Sequence, residues 1–222
     1  AEDNEINQEV ATEILRAVGL HVTVANDGRE AVDLAAAQPF ELILMDMQMP
    51  RLDGLAATLE IRDLPGWANR PILAMTANAF AEDRQRCLDT GMNDFVAKPV
   101  EPENLYRVLL KWLPRRDAAP FVGATGQSID QDGGLLERLA TIDGLDLAHG
   151  MAMALNRQPF YVRLLTTFLE RHRDDPELLR HHAEQGNRAA IQRMAHALKA
   201  ATDNIGAPAI TELAKSILAA EY

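Results

Sequence analysis

The chain has 222 residues, 47% of them hydrophobic and 25% charged, which is enough for two domains with real cores. Its net charge is −11, with 12 Lys and Arg against 20 Asp and Glu over residues 1–117 and 10 against 13 over 118–222. Neither half therefore offers the basic surface that nucleic acid or direct membrane contact requires. The single cysteine, Cys87, rules out a disulfide framework, and no apolar run reaches the roughly 18 residues of a membrane-spanning helix, so a cytoplasmic setting fits.

Residues 4–19 place Ile6, Val10, Ile14 and Val18 four apart and end on Gly19, the pattern of a capped helix. Residues 20–26, LHVTVAN, alternate like a strand. Residues 29–38 read as a helix stopped by Pro39, and 40–46, FELILMD, as a continuous apolar strand. A helix over 55–64, a strand over 71–76, a helix over 81–91, a short strand over 94–99 and a helix over 102–113 follow. Strands that alternate with helices and look buried on both faces predict a parallel α/β sheet. Cys87 reads as a small hydrophobe packed in its core.

Residues 114–134 lose all apolar period and are rich in Pro, Gly, Ala and Ser, the composition of a linker. From 135 to 222 no strand signal appears. Amphipathic segments at 159–173, 176–186, 188–202 and 208–222 predict a helical bundle, with Phe160, Leu164, Phe168 and Leu169 on one face.

The strand FELILMD ends on a carboxylate, Asp46, which is either a helix cap or chemistry. In an open parallel sheet the strand carboxyl ends form the ligand crevice. Glu2 and Asp3 lead into the first helix, Asp46 and Thr76 end two strands, and Lys98-Pro99 follows the last. Taken singly, each is more often an ordinary strand-end residue or cap. Taken together, three carboxylates call for a hard cation such as Mg²⁺. A lysine and a hydroxyl beside them suit phosphoryl oxygens, with Asp46 as nucleophile.

The stretches AEDNEINQEVA, LILMDMQMPRLDG, ILAMTA and GMNDFVAKP resemble the motifs of receiver domains of two-component signalling proteins. The resemblance covers 1–113 and implies a five-stranded doubly wound sheet. It implies Asp46 as phosphoacceptor, with Mg²⁺ held by Asp3, Asp46 and the backbone carbonyl of Gln48, and by Glu2 through water. It implies Thr76 and Lys98 as phosphoryl contacts, Thr76 and Phe95 as the switch pair, and a cis Lys98-Pro99 bond. Receiver domains start with an apolar strand before the acidic pair, of which only Ala1 stands here, so upstream residues are expected in the native protein.

The six histidines are His21, His149, His172, His181, His182 and His196, and none forms a zinc-like pair. His196 has Lys199 one turn on, on the same helical face. A neutral imidazole accepts phosphoryl groups and an ammonium offsets their charge; a solvated His beside a solvated Lys fits the same spacing. The run His196, Leu198, Lys199, then Asn204, Ile205, Gly206, Ala207 resembles the signature of histidine-phosphotransfer (HPt) domains. This implies His196 as the phosphorylated residue and a bundle lacking its last helix. Ala200 and Asp203 depart from that signature, in each case where a small residue, usually glycine beside the histidine, is the rule.

The expected function is a phosphorelay, in which Asp46 takes a phosphoryl group from a kinase histidine and His196 passes it to a downstream response regulator receiver. The order of the two regions is similar to the tail of a hybrid sensor histidine kinase, whose upstream kinase domain would be the donor and whose sensor region would anchor the full protein at a membrane. No glycine-rich ATP motif is present, so this stretch supplies no kinase core of its own. The alternative is a degenerate scaffold that binds partners without transferring phosphate. An aspartyl-phosphate hydrolase is disfavoured by Gln48, where a second acid is needed.

Overall fold

The computed structural model describes residues 1–76, 81–113 and 133–220. These form two compact units, one from the residues up to 113 and one from those after 132. The segment read as a linker lies outside the described residues, except that Gly133 and Gly134 open a helix.

The first unit begins with α1 (Glu5–Ala17). Asn4 caps it, its side-chain oxygen accepting from the N–H groups of Ile6 and Asn7, and Ile6, Val10 and Ile14 face inward. Then come α2 (Gly28–Ala37) and α3 (Gly54–Arg62), capped by Asp27 and Asp53. Around them run β1 (Ile43–Asp46), β2 (Ile72–Thr76), α4 (Ala81–Asp89), β3 (Asp94–Ala97) and α5 (Pro102–Trp112). The strands form one parallel sheet in the order β1-β2-β3. All five residues of the central β2 are buried, as a strand covered on both faces should be. Met45, Ala57, Ile61, Trp67 and Ile72 build the core, with Cys87 packed into it.

Among the described residues the sheet has three strands, not the five expected. The alternating segment 20–26 carries no strand because it lacks a ladder beside it. Only Ala1 and Glu2 stand between it and β1. Ala1 N donates to Leu44 O at 2.7 Å, Asp46 N to Ala1 O at 3.0 Å and Glu2 N to Ala25 O at 3.0 Å. Beyond these bonds the two segments are separated by a cavity of about 440 Å³ lined by Leu15, Val22, Val24, Leu42, Leu44 and Leu109. Strand pairing needs a run of such bonds, and this cavity interrupts it.

The second unit is all helix: α6 (Gly133–Ala140), α7 (Leu147–Met153), α8 (Gln158–His172), α9 (Asp175–Glu184), α10 (Arg188–Ile205) and α11 (Pro208–Ala219). The long α10 packs against α7, α8, α9 and α11. Its inward residues Ala195, Leu198, Ala201 and Ile205 are buried, as are Phe160, Tyr161 and Leu164 of α8. Leu169 does not join that face and is 67% exposed. Nine residues from Phe160 is half a turn out of phase at about 100° per residue, so the side chain points away.

Candidate functional site

The sheet register assembles the first centre. Asp46 closes β1 opposite Met75, and Thr76 closes β2 opposite Ala97, one residue before Lys98. Lys98 N donates to Thr76 O at 2.8 Å, so the chain leaves β3 still tied to the end of β2. Lys98-Pro99 is cis. Four side chains expected from the sequence therefore meet at one sheet end: Glu2, Asp46, Thr76 and Lys98, all buried or nearly so.

Lys98 Nζ lies 2.6 Å from Glu2 Oε2 and 2.7 Å from Asp46 Oδ2, with all three side chains under 10% exposed. Burial alone would lower the Lys98 pKa, but the Glu2 and Asp46 carboxylates outweigh it and hold it above its ordinary value. Burial pushes the Asp46 carboxyl up, against the opposing pull of Lys98 and of the Gln48 N–H, which reaches Asp46 Oδ1 at 3.3 Å. Asp3 sits exposed at the rim, its pKa also raised by partial burial and then by Glu2.

Carboxylate oxygens of Glu2, Asp3 and Asp46 lie within 4.8 Å of one another. Three carboxylates face one ammonium, which leaves a net negative pocket of oxygen donors. That donor set suits a hard divalent cation. Phe95 stands on β3, half-buried against the core, with the Arg84 guanidinium 4.2 Å from its ring centroid. Asn7 was not legible as a site residue: its Nδ2 donates to Glu2 Oε1 at 2.9 Å and orients that carboxylate. The only signal was its place in the first turn of α1, on the face that Glu2 enters.

The second centre is on α10. His196 and Lys199 are both half-buried, one turn apart on the same face, while their neighbours Ala195 and Leu198 are core. Ala200 and Asp203 are half-buried further along. The end of the helix is fixed from several directions. Gly206 adopts the left-handed conformation at φ +75°, and Ala207 N donates to Thr202 O at 2.8 Å. Tyr161 Oη donates to Ile205 O at 2.8 Å, and Asp146 N to Gly206 O at 2.6 Å. His149 Nε2 lies 2.9 Å from Asp203 O; a carbonyl only accepts, so that nitrogen carries the proton. Most of the motif around His196 is thus structural: Leu198, Asn204, Ile205 and Ala207 are buried, and Gly206 is the cap. Tyr161 and His149 were not singled out from sequence, since their partners are backbone groups 44 and 54 residues away.

Among known families, the response regulator receiver domain matches residues 1–110 and the Hpt domain matches residues 163–220. The signal transduction histidine-protein kinase BarA of Escherichia coli is 40% identical over 113 residues, covering 51% of this chain and 12% of BarA. The sensor protein GacS of Pseudomonas syringae is 32% identical over 213 residues, covering 93% of this chain and 22% of GacS. Among solved structures, the receiver domain of sensor histidine kinase PA1611 from Pseudomonas aeruginosa, with magnesium in its active-site cleft, is 46% identical. It covers 50% of this chain and 92% of that one, with a TM-score of 0.48. The chain thus spans less than a quarter of the length of either curated relative.

Proposed function

The chain belongs to the receiver family over residues 1–110 and to the Hpt family over residues 163–220, and from that premise we propose that phosphate enters at Asp46 and leaves through His196. Receiver and Hpt domains in one chain are phosphorelay parts. The observation that carries the entry site is the convergence of Asp46, Lys98 and Thr76 at one sheet end, with Glu2 and Asp3 beside them.

Asp46 is the nucleophile: a carboxylate oxygen bonds to phosphorus as the bond from phosphorus to the donor nitrogen breaks. Lys98 Nζ, already at Asp46 Oδ2, pairs with an incoming phosphoryl oxygen, and the Thr76 hydroxyl contacts another. Asp3, Asp46 and the Gln48 carbonyl would hold Mg²⁺ directly, and Glu2 through water. The bound ion supplies charge neutralisation of the transferring group. In the second transfer an imidazole nitrogen of His196 takes the phosphoryl group, Asp46 is released as carboxylate and the imidazole loses its N–H proton to solvent. Lys199 offsets the arriving charge.

The donor in this reading is a histidine kinase domain and the acceptor a response regulator receiver, both cytoplasmic. No described helix is long and apolar enough to cross a membrane, so anchoring would fall to a sensor region elsewhere in the full protein. The domain limits in this reading are 1–113 and 135–222, with α6 beginning two residues ahead of the second. The cavity beside β1 has apolar walls, and one more parallel strand there would bring 20–26 into a five-stranded sheet.

The test is incubation with acetyl phosphate and Mg²⁺ followed by intact mass. A base-labile 80-dalton adduct is expected on the wild type and absent from Asp46→Ala. A folded wild type that gains no adduct at Asp46 favours the scaffold alternative.

A further inference from the structure

The turn that follows Asp46 is held in an uncommon shape by a contact that the phosphorelay reading does not use. Arg51 has φ +64°, in the left-handed region that non-glycine residues rarely occupy. It is the centre of a three-residue turn closed by Leu52 N–H on Pro50 O at 2.7 Å. Such backbone persists only where the surroundings over-determine it.

The surroundings are specific. The Arg51 guanidinium, itself largely exposed, is paired with the carboxylate of Asp27, which is 1% exposed. Asp27 also caps α2, its Oδ1 accepting from Glu30 N at 2.9 Å. Next to it, Gly28 N donates to Leu52 O at 3.2 Å, an approach so close that a Cβ on Gly28 would fall 2.3 Å from that oxygen. At the far side of the turn Gly54 N donates to Met47 O at 3.2 Å. Between these anchors lies Gln48, whose N–H reaches Asp46 Oδ1.

We propose that Arg51 and Asp27 form a clamp whose ion pair fixes the 47–53 turn, positioning the Gln48 backbone beside Asp46 for cation binding and phosphoryl acceptance. The proposal rests on the phosphorelay reading of this site. Arg51 is a positioning residue, acting through the turn and not on the reacting atoms. A buried carboxylate fixed to the N-terminus of α2 is a rigid anchor, and a charge-assisted contact to it restrains the apex of the turn.

Three variants of the full chain separate positioning from bulk stability. Arg51→Gly removes the charge but accepts φ +64° without strain. Asp27→Asn removes the charge yet keeps an oxygen to cap α2. Arg51→Lys keeps the charge. Mg²⁺ affinity is read by calorimetry and backbone opening by hydrogen exchange of peptides covering 47–53 and 72–76.

Arg51→Gly and Asp27→Asn should each weaken Mg²⁺ binding about three- to tenfold and speed exchange at 47–53 about tenfold, leaving 72–76 unchanged. Arg51→Lys should stay within about threefold of wild type. Wild-type affinity and wild-type exchange at 47–53 in both charge-removing variants would overturn the clamp. So would equal acceleration at 72–76, or a wild type that binds no Mg²⁺, since the turn would then serve no site. If wild type binds Mg²⁺ and the two charge-removing variants show the predicted losses, but wild type takes no phosphate at Asp46, the phosphorelay reading falls and the clamp stands for cation binding alone.

Discussion

Replacing Lys98 with methionine strands two buried carboxylates. Glu2 and Asp46 are each about 6% exposed in their side chains and stand 2.6 and 2.7 Å from the ammonium that offsets them. Removing one partner of a buried ion pair costs about 3–5 kcal/mol, because the charge left behind stays desolvated. For a unit of roughly 110 residues, 1 kcal/mol moves the melting temperature by about 4 °C, so the receiver transition should fall by about 15 °C. Two conditions should recover part of the loss. Mg²⁺ at a hundred times its dissociation constant returns about 2.7 kcal/mol, and it should help the variant more than the wild type, whose carboxylates already have a cation. Lowering the pH should also help. The folded pKa of Asp46 is raised by burial, so its stabilising contribution is full below its ordinary value of 3.8 and is lost as pH rises through the folded value. Without Lys98 that folded value climbs further, and the deficit should widen from pH 4 to pH 7. Calorimetric melting of the full chain, with and without Mg²⁺ at both pH values, checks this. A fall of less than about 4 °C, or equal stabilisation of both chains by Mg²⁺, would refute the idea that Lys98 is the internal counter-ion of the carboxylate pocket.

Other expectations concern parts away from that pocket. Burial pushes the Tyr161 hydroxyl up to about 12, so its stabilising contribution is intact below the ordinary value of 10.0 and is lost as pH rises through 12; Tyr161→Phe should flatten the alkaline loss of stability in the helical unit, read by circular dichroism. Burial would raise Asp94, but Lys111, Trp112 and the Phe95 N–H together hold it below its ordinary value. Its contribution is therefore present above pH 3.8 and is lost as pH falls through the depressed value, and Asp94→Asn should reduce the slope of acid unfolding there. Gly206→Ala forces a side chain into the left-handed region with its Cβ 2.2 Å from Asp146 O; beyond about 1–2 kcal/mol for the backbone, the clash should push α7 from the end of α10 and lower the helical unit's melting temperature by several degrees.

The legible parts of the molecule are those whose signal is local. Asp46 stood out because a continuous apolar strand ends on it, and Lys98 because a Lys-Pro pair follows another short strand. Glu2 and Asp3 were legible by their place before the first helix. Pairing was not legible: nothing in the sequence says that Lys98 reaches Glu2, 96 residues away, as well as Asp46. The segment 20–26 has a strand's alternation, yet alternation names a face and not a partner, and the space beside it is a cavity. Two helices escaped for a different reason. α6 opens on Gly133 and Gly134, which read as linker, and α7 is only seven residues long, too short to show a helical period. In the fold a Cβ on Gly150 would lie 2.5 Å from the Tyr161 ring, so that glycine marks close helix packing. Leu169 shows the converse error, an apolar residue assigned to the core by proximity in sequence when the helical phase turns it outward.

The most direct measurement follows the phosphoryl group through time. Wild type, Asp46→Ala and His196→Ala chains are given acetyl phosphate and Mg²⁺, quenched at intervals and mapped by peptide mass, with acid and base lability separating phosphohistidine from acyl phosphate. A relay predicts phosphate first on Asp46, then on His196, with no phosphohistidine in Asp46→Ala and prolonged acyl phosphate in His196→Ala. Phosphate that stays on Asp46 with the same lifetime whether or not His196 is present, and never appears on His196, would contradict it.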